Sequence, residues 1–213
     1  ADKQMNIRYP AGTGRCPFAP ARARAWPRPT TGGETPTTVV HMRIRHATLD
    51  DAAAIAAVEA ACFPAAEAAD ENEVRARLAV YPNHFWLMVD DEATDRDATT
   101  VRDGRLAAFV NGFTTDEPDL TDEMYENAAM HDERGTWQMI FGVDTAPAYR
   151  HHGYASELLR AAIEDARDAG RAGLVLTCKD RPIGFYERLG FVNEGVSGST
   201  HGDVTWYQMR LRF

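Results

Sequence analysis

The sequence predicts an α/β (α+β) domain built on a central sheet, and three observations support this. Strand-like and helix-like segments alternate along residues 42–213. An apolar strand, Trp137 to Thr145, runs into a loop that opens an amphipathic helix, Ala155 to Ala169, with apolar residues at i, i+3, i+4 and i+7. Leu174 to Cys178 is an unbroken apolar run, as expected of a strand covered on both faces. We expect the rest of the chain to be organised around this strand–loop–helix unit.

In the first half of the domain, periodicity and end signals define each element. Residues 42–47 alternate as an opening strand, and Thr48 with Asp51 gives a capping start for an Ala-rich helix that ends at a proline. A second helix over about Glu71 to Val80 precedes a strand, Phe85 to Val89. These signals predict strand, helix, helix and strand in that order.

The middle of the domain is more polar. Residues 90–103 lack any period and predict an exposed hairpin connection, after which Leu106 to Thr114 is a predicted strand. Residues 115–134 form an acidic, partly helical insertion. A solvated loop is the favoured interpretation of its acidic cluster, and a rim that recruits an amine is the alternative.

The last quarter of the chain predicts one helix and two strands. The helix, Pro182 to Leu189, has proline in its first turn and is followed by a glycine. Residues 191–196 and 205–213 then close the sheet, and the second of these segments alternates apolar with polar side chains.

Residues 1–41 are predicted to form an N-terminal Pro/Arg-rich tail ahead of a single domain, 42–213. The tail carries six prolines and no hydrophobic period, so we expect no fold for it. The apolar runs of the chain are shorter than the roughly 20 residues that cross a bilayer, and none has the form of a secretory signal. A cytoplasmic protein without a membrane partner is therefore expected.

Charge is unevenly placed. Residues 1–41 hold 6 basic and 2 acidic side chains, leaving 17 basic and 30 acidic in residues 42–213, a net charge of −13. Such a domain repels nucleic acid and anionic membranes, and it would attract a cationic amine. An acidic surface that only confers solubility is the simpler interpretation.

The three cysteines, Cys16, Cys62 and Cys178, show neither a C-x-x-C motif nor a Cys/His metal spacing. Free thiols are therefore expected. Cys178 lies inside an apolar run, which favours a buried core residue over a nucleophile.

The loop Tyr149 to Ala155 has the features of a diphosphate-binding turn. The first amides of a helix lack intrahelical partners, and the helix dipole adds positive character there. Gly153 permits close approach of a phosphate, and Arg150 supplies a permanent charge. The chain has no G-x-x-x-x-G-K-[ST] motif and no G-x-G-x-x-G motif opening a βαβ unit, so a coenzyme pyrophosphate is the favoured ligand.

Two blocks of sequence resemble the GNAT superfamily of N-acetyltransferases. Val143-Asp144-Thr145-Ala146-Pro147-Ala148-Tyr149-Arg150-His151-His152-Gly153-Tyr154-Ala155 resembles its acetyl-CoA-binding motif, and Gly184-Phe185-Tyr186-Glu187-Arg188-Leu189-Gly190-Phe191 resembles its later helix. The resemblance covers roughly Met42 to Phe213 and is greatest to the arylalkylamine N-acetyltransferase branch. It implies a mixed, mostly antiparallel sheet of six to seven strands, flanked by about four helices and splayed between two central parallel strands.

The resemblance also implies a site. Acetyl-CoA would be the co-substrate, with no metal. The adjacent histidines of the loop are interpreted as donors near phosphate, and Tyr186 matches the tyrosine that protonates the departing thiolate. The residues expected to bind the coenzyme are Val143, Asp144, Thr145, Arg150, His151, His152, Gly153, Tyr154, Ala155 and Cys178.

One departure from the branch concerns proton transfer. Met139 and Phe141 stand where arylalkylamine enzymes carry two histidines, and neither can move a proton. Strict alternation would turn Asp144 to the opposite face of the strand, so it is not expected to be the base. His201 either borders the acceptor pocket or caps a turn.

Three functions follow from the sequence. The first is direct acetyl transfer to a small primary amine, such as an arylalkylamine or polyamine. The second is acetylation of a protein N-terminus or lysine, and the third is a non-catalytic acyl-CoA-binding module. The oligomeric state stays open, with a homodimer as one option.

Overall fold

The computed structural model describes residues 41–64, 67–200, 202 and 204–213. The predicted tail, apart from His41, lies outside this part of the chain, as do Cys16 and His201.

The described residues contain eight strands and five α-helices, joined by loops and four short 3-10 helices. The strands are β1 (Met42–His46), β2 (Phe85–Asp90), β3 (Thr100–Val101), β4 (Gly104–Thr115), β5 (Trp137–Thr145), β6 (Gly173–Cys178), β7 (Val192–Val196) and β8 (Tyr207–Arg212). The helices are α1 (Ala52–Cys62), α2 (Glu71–Val80), α3 (Glu123–Glu126), α4 (Tyr154–Asp168) and α5 (Ile183–Glu187). None of these helices has the length and apolar character needed to cross a bilayer.

The strands form one sheet in the order β1-β2-β4-β5-β6-β8-β7, with β3 paired to β4. β5 and β6 are parallel, and the other pairs are antiparallel. The predicted mixed, mostly antiparallel sheet is confirmed. Its additional strand is β3, which arises because part of the polar segment 90–103 pairs with β4.

Helices cover both faces of the sheet. On one face, α1 and α2 bury Val58 and Leu78 in a core that includes Phe109 and Met139 of the sheet. On the other face, α4 packs on Ile140 and on residues of β6. The α4 residues that contact the sheet have the spacing of one helical face, as predicted: Leu158, Leu159, Ala162, Ile163 and Ala166 are all buried.

β5 and β6 are splayed. Their paired residues run only from Trp137–Gly173 to Ile140–Leu176, although β5 continues to Thr145 and β6 to Cys178. The second half of β5 is therefore unpaired on its β6 side. This gap starts at Phe141 and leads toward the loop before α4.

A β-bulge in β5 corrects the expected orientation of Asp144. Asn111 of β4 pairs with Gly142, but Gly112 pairs with Ile140, so Phe141 is an extra residue in β5. Beyond the bulge, the alternation of side chains is reversed. Asp144 consequently lies on the α1 face with Met139, not on the opposite face as strict alternation predicted.

Gly142 leaves room for two polar side chains at this bulge. A Cβ built on Gly142 would lie 2.7 Å from Asn111 Oδ1 and 2.8 Å from Asp144 Oδ2, closer than side chains tolerate. The bulge therefore gathers two polar side chains around a residue that has none.

Candidate active site

A cavity of about 960 Å³ opens where β5 and β6 diverge. Its walls come from the α1–α2 connection, the ends of β5 and β6, α3 and the segment that precedes β8. The side chains that line it include charged, aromatic, aliphatic and sulfur-bearing groups: Glu59, Cys62, Phe63, Glu67, Glu73, Arg77, Asp122, Tyr125, Glu126, Phe141, Val143, Cys178, Lys179, Asp180, Arg181, Tyr186 and Trp206. The gap in the sheet thus leads into this cavity.

The loop before α4 forms a concave turn of backbone amides. His151 (φ +68°) and Gly153 (φ +88°) both adopt the left-handed conformation, an arrangement that turns successive N–H groups toward one point. The N–H groups of His151, His152, Gly153 and Ala155 donate to no backbone carbonyl among the described residues. No atom lies within 4 Å of a Cβ built on Gly153. The turn therefore has donors and space for an anion.

Side chains of the loop hold this turn in shape. The Tyr149 hydroxyl donates to Asp90 Oδ2 at 2.8 Å, which fixes the loop to the end of β2. His152 Nδ1 lies 3.2 Å from Tyr149 O, and its ring stacks on Tyr154 with 5.5 Å between centroids. His152 and Tyr154 thus shape the turn, and Tyr149, which was not among the predicted coenzyme-binding residues, anchors it.

Arg150 is exposed and turned toward the end of β5. Its Nε donates to Thr145 O at 3.3 Å, and the same carbonyl accepts the Cys62 thiol at 3.3 Å. The carbonyl of Thr145, a predicted coenzyme-binding residue, therefore already accepts two hydrogen bonds from side chains of this chain. Val143, in contrast, lines the cavity.

Cys178 also lines the cavity and is buried. Burial raises the pKa of its thiol to about 11, so the thiol stays protonated at neutral pH. Among the described cysteines, Cys62 and Cys178 are both free. These facts agree with a packing role for Cys178 and not with a nucleophile.

Tyr186 reaches the cavity from α5. Its ring packs edge-on against Phe185 and Phe191, with centroids 5.0 and 5.9 Å away. Burial raises the pKa of its phenol well above the ordinary value, and the nearby Cys178 and Asp144 add to the shift. The hydroxyl is therefore protonated at any physiological pH.

Two carboxyl groups lie on the α1 side of the same region. Glu59 Oε1 accepts the Ala69 N–H at 3.0 Å, while Glu59 Oε2 and both oxygens of Asp144 are buried without a hydrogen-bond partner among the described residues. Burial raises the pKa of Glu59. The pKa of Asp144 is raised well above its ordinary range, first by burial and then by the charge of Glu59. Both carboxyl groups therefore favour the protonated form more than a carboxyl group in water does.

Glu59 was not identified from the sequence as a functional residue. A local signal exists, because it is the one charged residue of α1, whose other ten residues are Ala, Val, Ile and Cys. A charge inside so apolar a helix must either reach solvent or serve a site. Glu59 lines the cavity, which only the packing of α1 on the sheet reveals.

The two strand positions that carry histidine in the arylalkylamine branch hold apolar side chains here, one in the core and one in the cavity wall. Met139 is fully buried beneath α1 and α2. Phe141 packs against Phe113 and Tyr125, with centroids 4.9 Å away in both cases. Proton transfer in this chain must therefore use other groups.

The described cavity wall has an excess of negative charge. Six carboxyl side chains face three basic ones: Glu59, Glu67, Glu73, Asp122, Glu126 and Asp180 against Arg77, Lys179 and Arg181. One of these cations is already paired, since Lys179 Nζ lies 3.0 Å from both oxygens of Glu67. Aromatic side chains complete the wall.

A turn of unpaired amides lies at one end of the gap between β5 and β6, and a cavity lined by carboxyl and hydroxyl groups lies at the other. This arrangement is typical of an enzyme that transfers a group from a phosphate-bearing carrier to an acceptor. Residues 52–191 match the acetyltransferase (GNAT) family, and the chain belongs to it. The predicted class, a transferase of the N-acetyltransferase type, is confirmed.

Solved structures show the same fold at low identity. The loading GNATL domain of CurA from Lyngbya majuscula has a TM-score of 0.65 at 15% identity, covering 80% of this chain and 97% of that one. The GphF GNAT-like decarboxylase in complex with isobutyryl-CoA has a TM-score of 0.64 at 22% identity, covering 80% and 98%. yncA from Salmonella typhimurium, a putative acetyltransferase with its cofactor acetyl-CoA, has a TM-score of 0.53 at 19% identity, covering 80% and 93%. These likenesses support the fold and identify no branch of the family.

Proposed function

We propose that this chain transfers the acetyl group of acetyl-CoA directly to a small primary amine, such as an arylalkylamine or a polyamine. The observation that carries the proposal is the placement of the amide turn and the acidic cavity at two ends of one gap between β5 and β6. A carrier held at the turn can extend along the gap and present its thioester to the cavity. The acceptor then approaches from the opposite side.

The binding site for acetyl-CoA, the acetyl donor, is formed by the residues predicted from the sequence. The diphosphate of the coenzyme is bound by the amides of 151–155, with Arg150 beside them, and its pantetheine arm follows the unpaired edge of β5 past Val143. Support comes from two structures of similar fold, whose descriptions name isobutyryl-CoA and acetyl-CoA.

The acceptor class follows from the cavity wall. The excess of carboxylates favours a cationic amine over a neutral or anionic acceptor. Phe63, Tyr125, Phe141 and Trp206 provide aromatic surface suited to an aryl group or an alkyl chain. A volume of about 960 Å³ is near the upper end of small-molecule pockets, enough for the acyl end of the coenzyme and a small amine together.

We assign the base to Glu59 and the acid to Tyr186. The acceptor enters as an ammonium ion with a pKa of about 10, so it must lose a proton before it attacks. Glu59 takes this proton, the amine nitrogen forms a bond to the thioester carbon, and the carbon–sulfur bond breaks as the nitrogen releases its second proton to solvent. Tyr186 then donates its hydroxyl proton to the departing thiolate and is reprotonated from solvent. Asp144 acts only through Glu59, because two adjacent carboxyl groups resist ionising together.

The test is release of free thiol from acetyl-CoA upon addition of single amines. The panel contains arylalkylamines, polyamines, lysine peptides and peptides with a free N-terminus, and each amine is matched to its alcohol analogue. We expect turnover with small amines and none with the alcohols. Turnover confined to peptides would show that the acceptor is a polypeptide and not a small amine. Binding of acetyl-CoA without turnover across the panel would support a non-catalytic binding module.

A further inference from the structure

Arg77 is a buried cation of the cavity wall that forms no ion pair within the described chain. It lies in the last turn of α2, is 8% exposed and lines the cavity. Its Nη2 donates to Tyr125 O at 2.9 Å, but its Nε is buried without a hydrogen-bond partner among the described residues. No carboxylate oxygen of a described residue lies within 4.0 Å of its nitrogens. Most N–H groups of its guanidinium are therefore unused by this part of the chain.

The other two buried arginines of the described chain are paired with carboxylates. Arg45 donates to Asp51 through two nitrogens, both at 2.8 Å. Arg210 donates to Glu194 at 2.8 Å. Removing a charge from water is costly unless an opposite charge replaces the solvent, which is why buried charges are normally paired. Arg77 departs from this rule, and it does so in the wall of the cavity.

The carboxyl groups that α1 and α2 contribute to the cavity are bound to backbone amides instead of to Arg77. Glu59 Oε1 accepts the Ala69 N–H at 3.0 Å, and Glu73 Oε2 accepts the Asp70 N–H at 2.7 Å. Burial raises the pKa of Glu59, and the positive charge of Arg77 opposes this shift, so the two groups are neighbours. Glu59 and Arg77 therefore line the same cavity from adjacent helices without an ion pair between them.

A ligand with both an ammonium group and a carboxylate would satisfy these two side chains together. The parallel N–H groups of a guanidinium match the two oxygens of a carboxylate. In an α-amino acid the two charged groups are attached to the same carbon atom, which suits a base and a cation on neighbouring helices. A phosphate carries more negative charge, and the six carboxyl side chains of the wall would repel it more strongly.

We propose that the acceptor is a small primary amine that also carries a carboxylate, with α-amino acids as the simplest members of this class. Arg77 binds the carboxylate, and Glu59 takes the proton of the ammonium group beside it. This specificity rests on the proposed function, because Arg77 then selects the acceptor of the same reaction. It favours amino acids over polyamines and over arylalkylamines that lack an acid group, and the product is an N-acetyl amino acid.

The test compares amino acids with the amines that lack only their carboxylate. The pairs are phenylalanine with phenethylamine and lysine with cadaverine, and kcat/KM is measured from thiol release with acetyl-CoA. We expect the wild type to favour each amino acid at least about 10-fold, the size of a hydrogen bond to a charged group. The same pairs are titrated by calorimetry into the chain saturated with CoA, so that the contact is also measured without turnover.

Three variants separate recognition of the carboxylate from support of the fold. Arg77→Gln should lower kcat/KM for each amino acid at least about 10-fold more than for its amine, mainly through KM. Arg77→Lys keeps a positive charge but not the parallel N–H groups, and should retain only part of the preference. Arg181→Gln is the matched control, because Arg181 is exposed, lines the same cavity and loses the same charge. The control should change both members of a pair by the same factor.

The outcomes distinguish this specificity from the proposed function. Acetylation of the amines with no preference for amino acids would overturn the role of Arg77 and leave the proposed function standing. An equal loss for both members of each pair in Arg77→Gln would also overturn it, since Arg77 would then only hold Tyr125. Arg77-dependent binding of amino acids without acetyl transfer would support the contact and contradict the proposed function. Neither binding nor turnover of amino acids would overturn the specificity.

The acyl group is a second source of a carboxylate, so the amines are also assayed with succinyl-CoA. We expect no gain over acetyl-CoA, because Arg77 lies beside the base that meets the acceptor. Faster turnover with succinyl-CoA that is lost in Arg77→Gln would assign the carboxylate to the acyl group and overturn the proposal. Circular dichroism of each variant establishes that it is folded.

Discussion

The assignment of Glu59 as general base predicts a large and pH-dependent loss of activity in Glu59→Gln. Glutamine keeps an oxygen that can accept the Ala69 N–H, so the contact that now holds Glu59 Oε1 is retained. The variant lacks only the atom that takes the proton of the ammonium ion. We therefore expect kcat/KM to fall with the fold intact.

The expected size of this loss follows from the acceptor. An amine with a pKa of about 10.4 is only about 0.04% unprotonated at pH 7. A variant that reacts only with this unprotonated fraction is therefore slower than the wild type by up to roughly 10³-fold. This lies within the range of about 10² to 10⁴ that general bases supply. At pH 9.4 about a tenth of the amine is already free, and the loss should shrink to roughly 10-fold.

The assay is steady-state release of thiol from acetyl-CoA between pH 6 and 9.5, with the dissociation constant of acetyl-CoA measured by calorimetry. Glu126→Gln is the matched control, because Glu126 lines the same cavity and the variant loses the same charge. We expect the control to change KM for the amine by a few-fold and to keep kcat. Equal losses in the two variants, or a Glu59→Gln loss that does not shrink as pH rises, would refute the base assignment.

Three further variants test the rest of the site. Tyr186→Phe keeps the ring that packs on Phe191 but removes the acid, so kcat should fall at least about 10²-fold with unchanged acetyl-CoA affinity; an unchanged kcat would exclude Tyr186 as the acid. Asp144→Asn removes a buried carboxyl group with a raised pKa, so the variant should gain unfolding free energy over the wild type by about 1.4 kcal/mol per pH unit from the ordinary carboxyl pKa up to the raised one, and near pH 3 the two should melt alike; identical melting at every pH would contradict the shift. Gly153→Ala should weaken acetyl-CoA binding in calorimetry at least about 10-fold, because φ of +88° strains alanine and displaces the amides. Gly170→Ala imposes similar strain (φ +72°) at the other end of α4 and should leave the affinity for acetyl-CoA unchanged. Equal losses of affinity in the two variants would show that the turn does not bind the coenzyme.

Much of this fold could be predicted from local sequence. α4 carries a strong helical period, and β5 and the turn at Gly153 adjoin it in sequence. Such features depend on residues a few positions apart, where periodicity and end signals are most informative. The short strand β3 was missed because it pairs through a turn in a polar segment that has no apolar period.

The candidate site was less predictable because it depends on contacts between distant segments. The bulge at Phe141 arises from the register between β4 and β5, and it alone brings Asp144 to the α1 face. Glu59 is 85 residues before Asp144, and Cys62 is 83 residues before Thr145, whose carbonyl accepts its thiol proton. Sequence spacing carries no sign of these pairs, whereas Tyr186 was found because it lies within a family motif.

The most direct test of the central claim is a crystal structure of the chain with a non-hydrolysable acetyl-CoA analogue. The account predicts the diphosphate on the amides of residues 151–155 and the pantetheine arm in the gap between β5 and β6. The atom that replaces the thioester sulfur should lie within about 4 Å of the Tyr186 hydroxyl, close enough for proton transfer directly or through one water. A coenzyme bound elsewhere, or a sulfur position remote from both Tyr186 and Glu59, would contradict it.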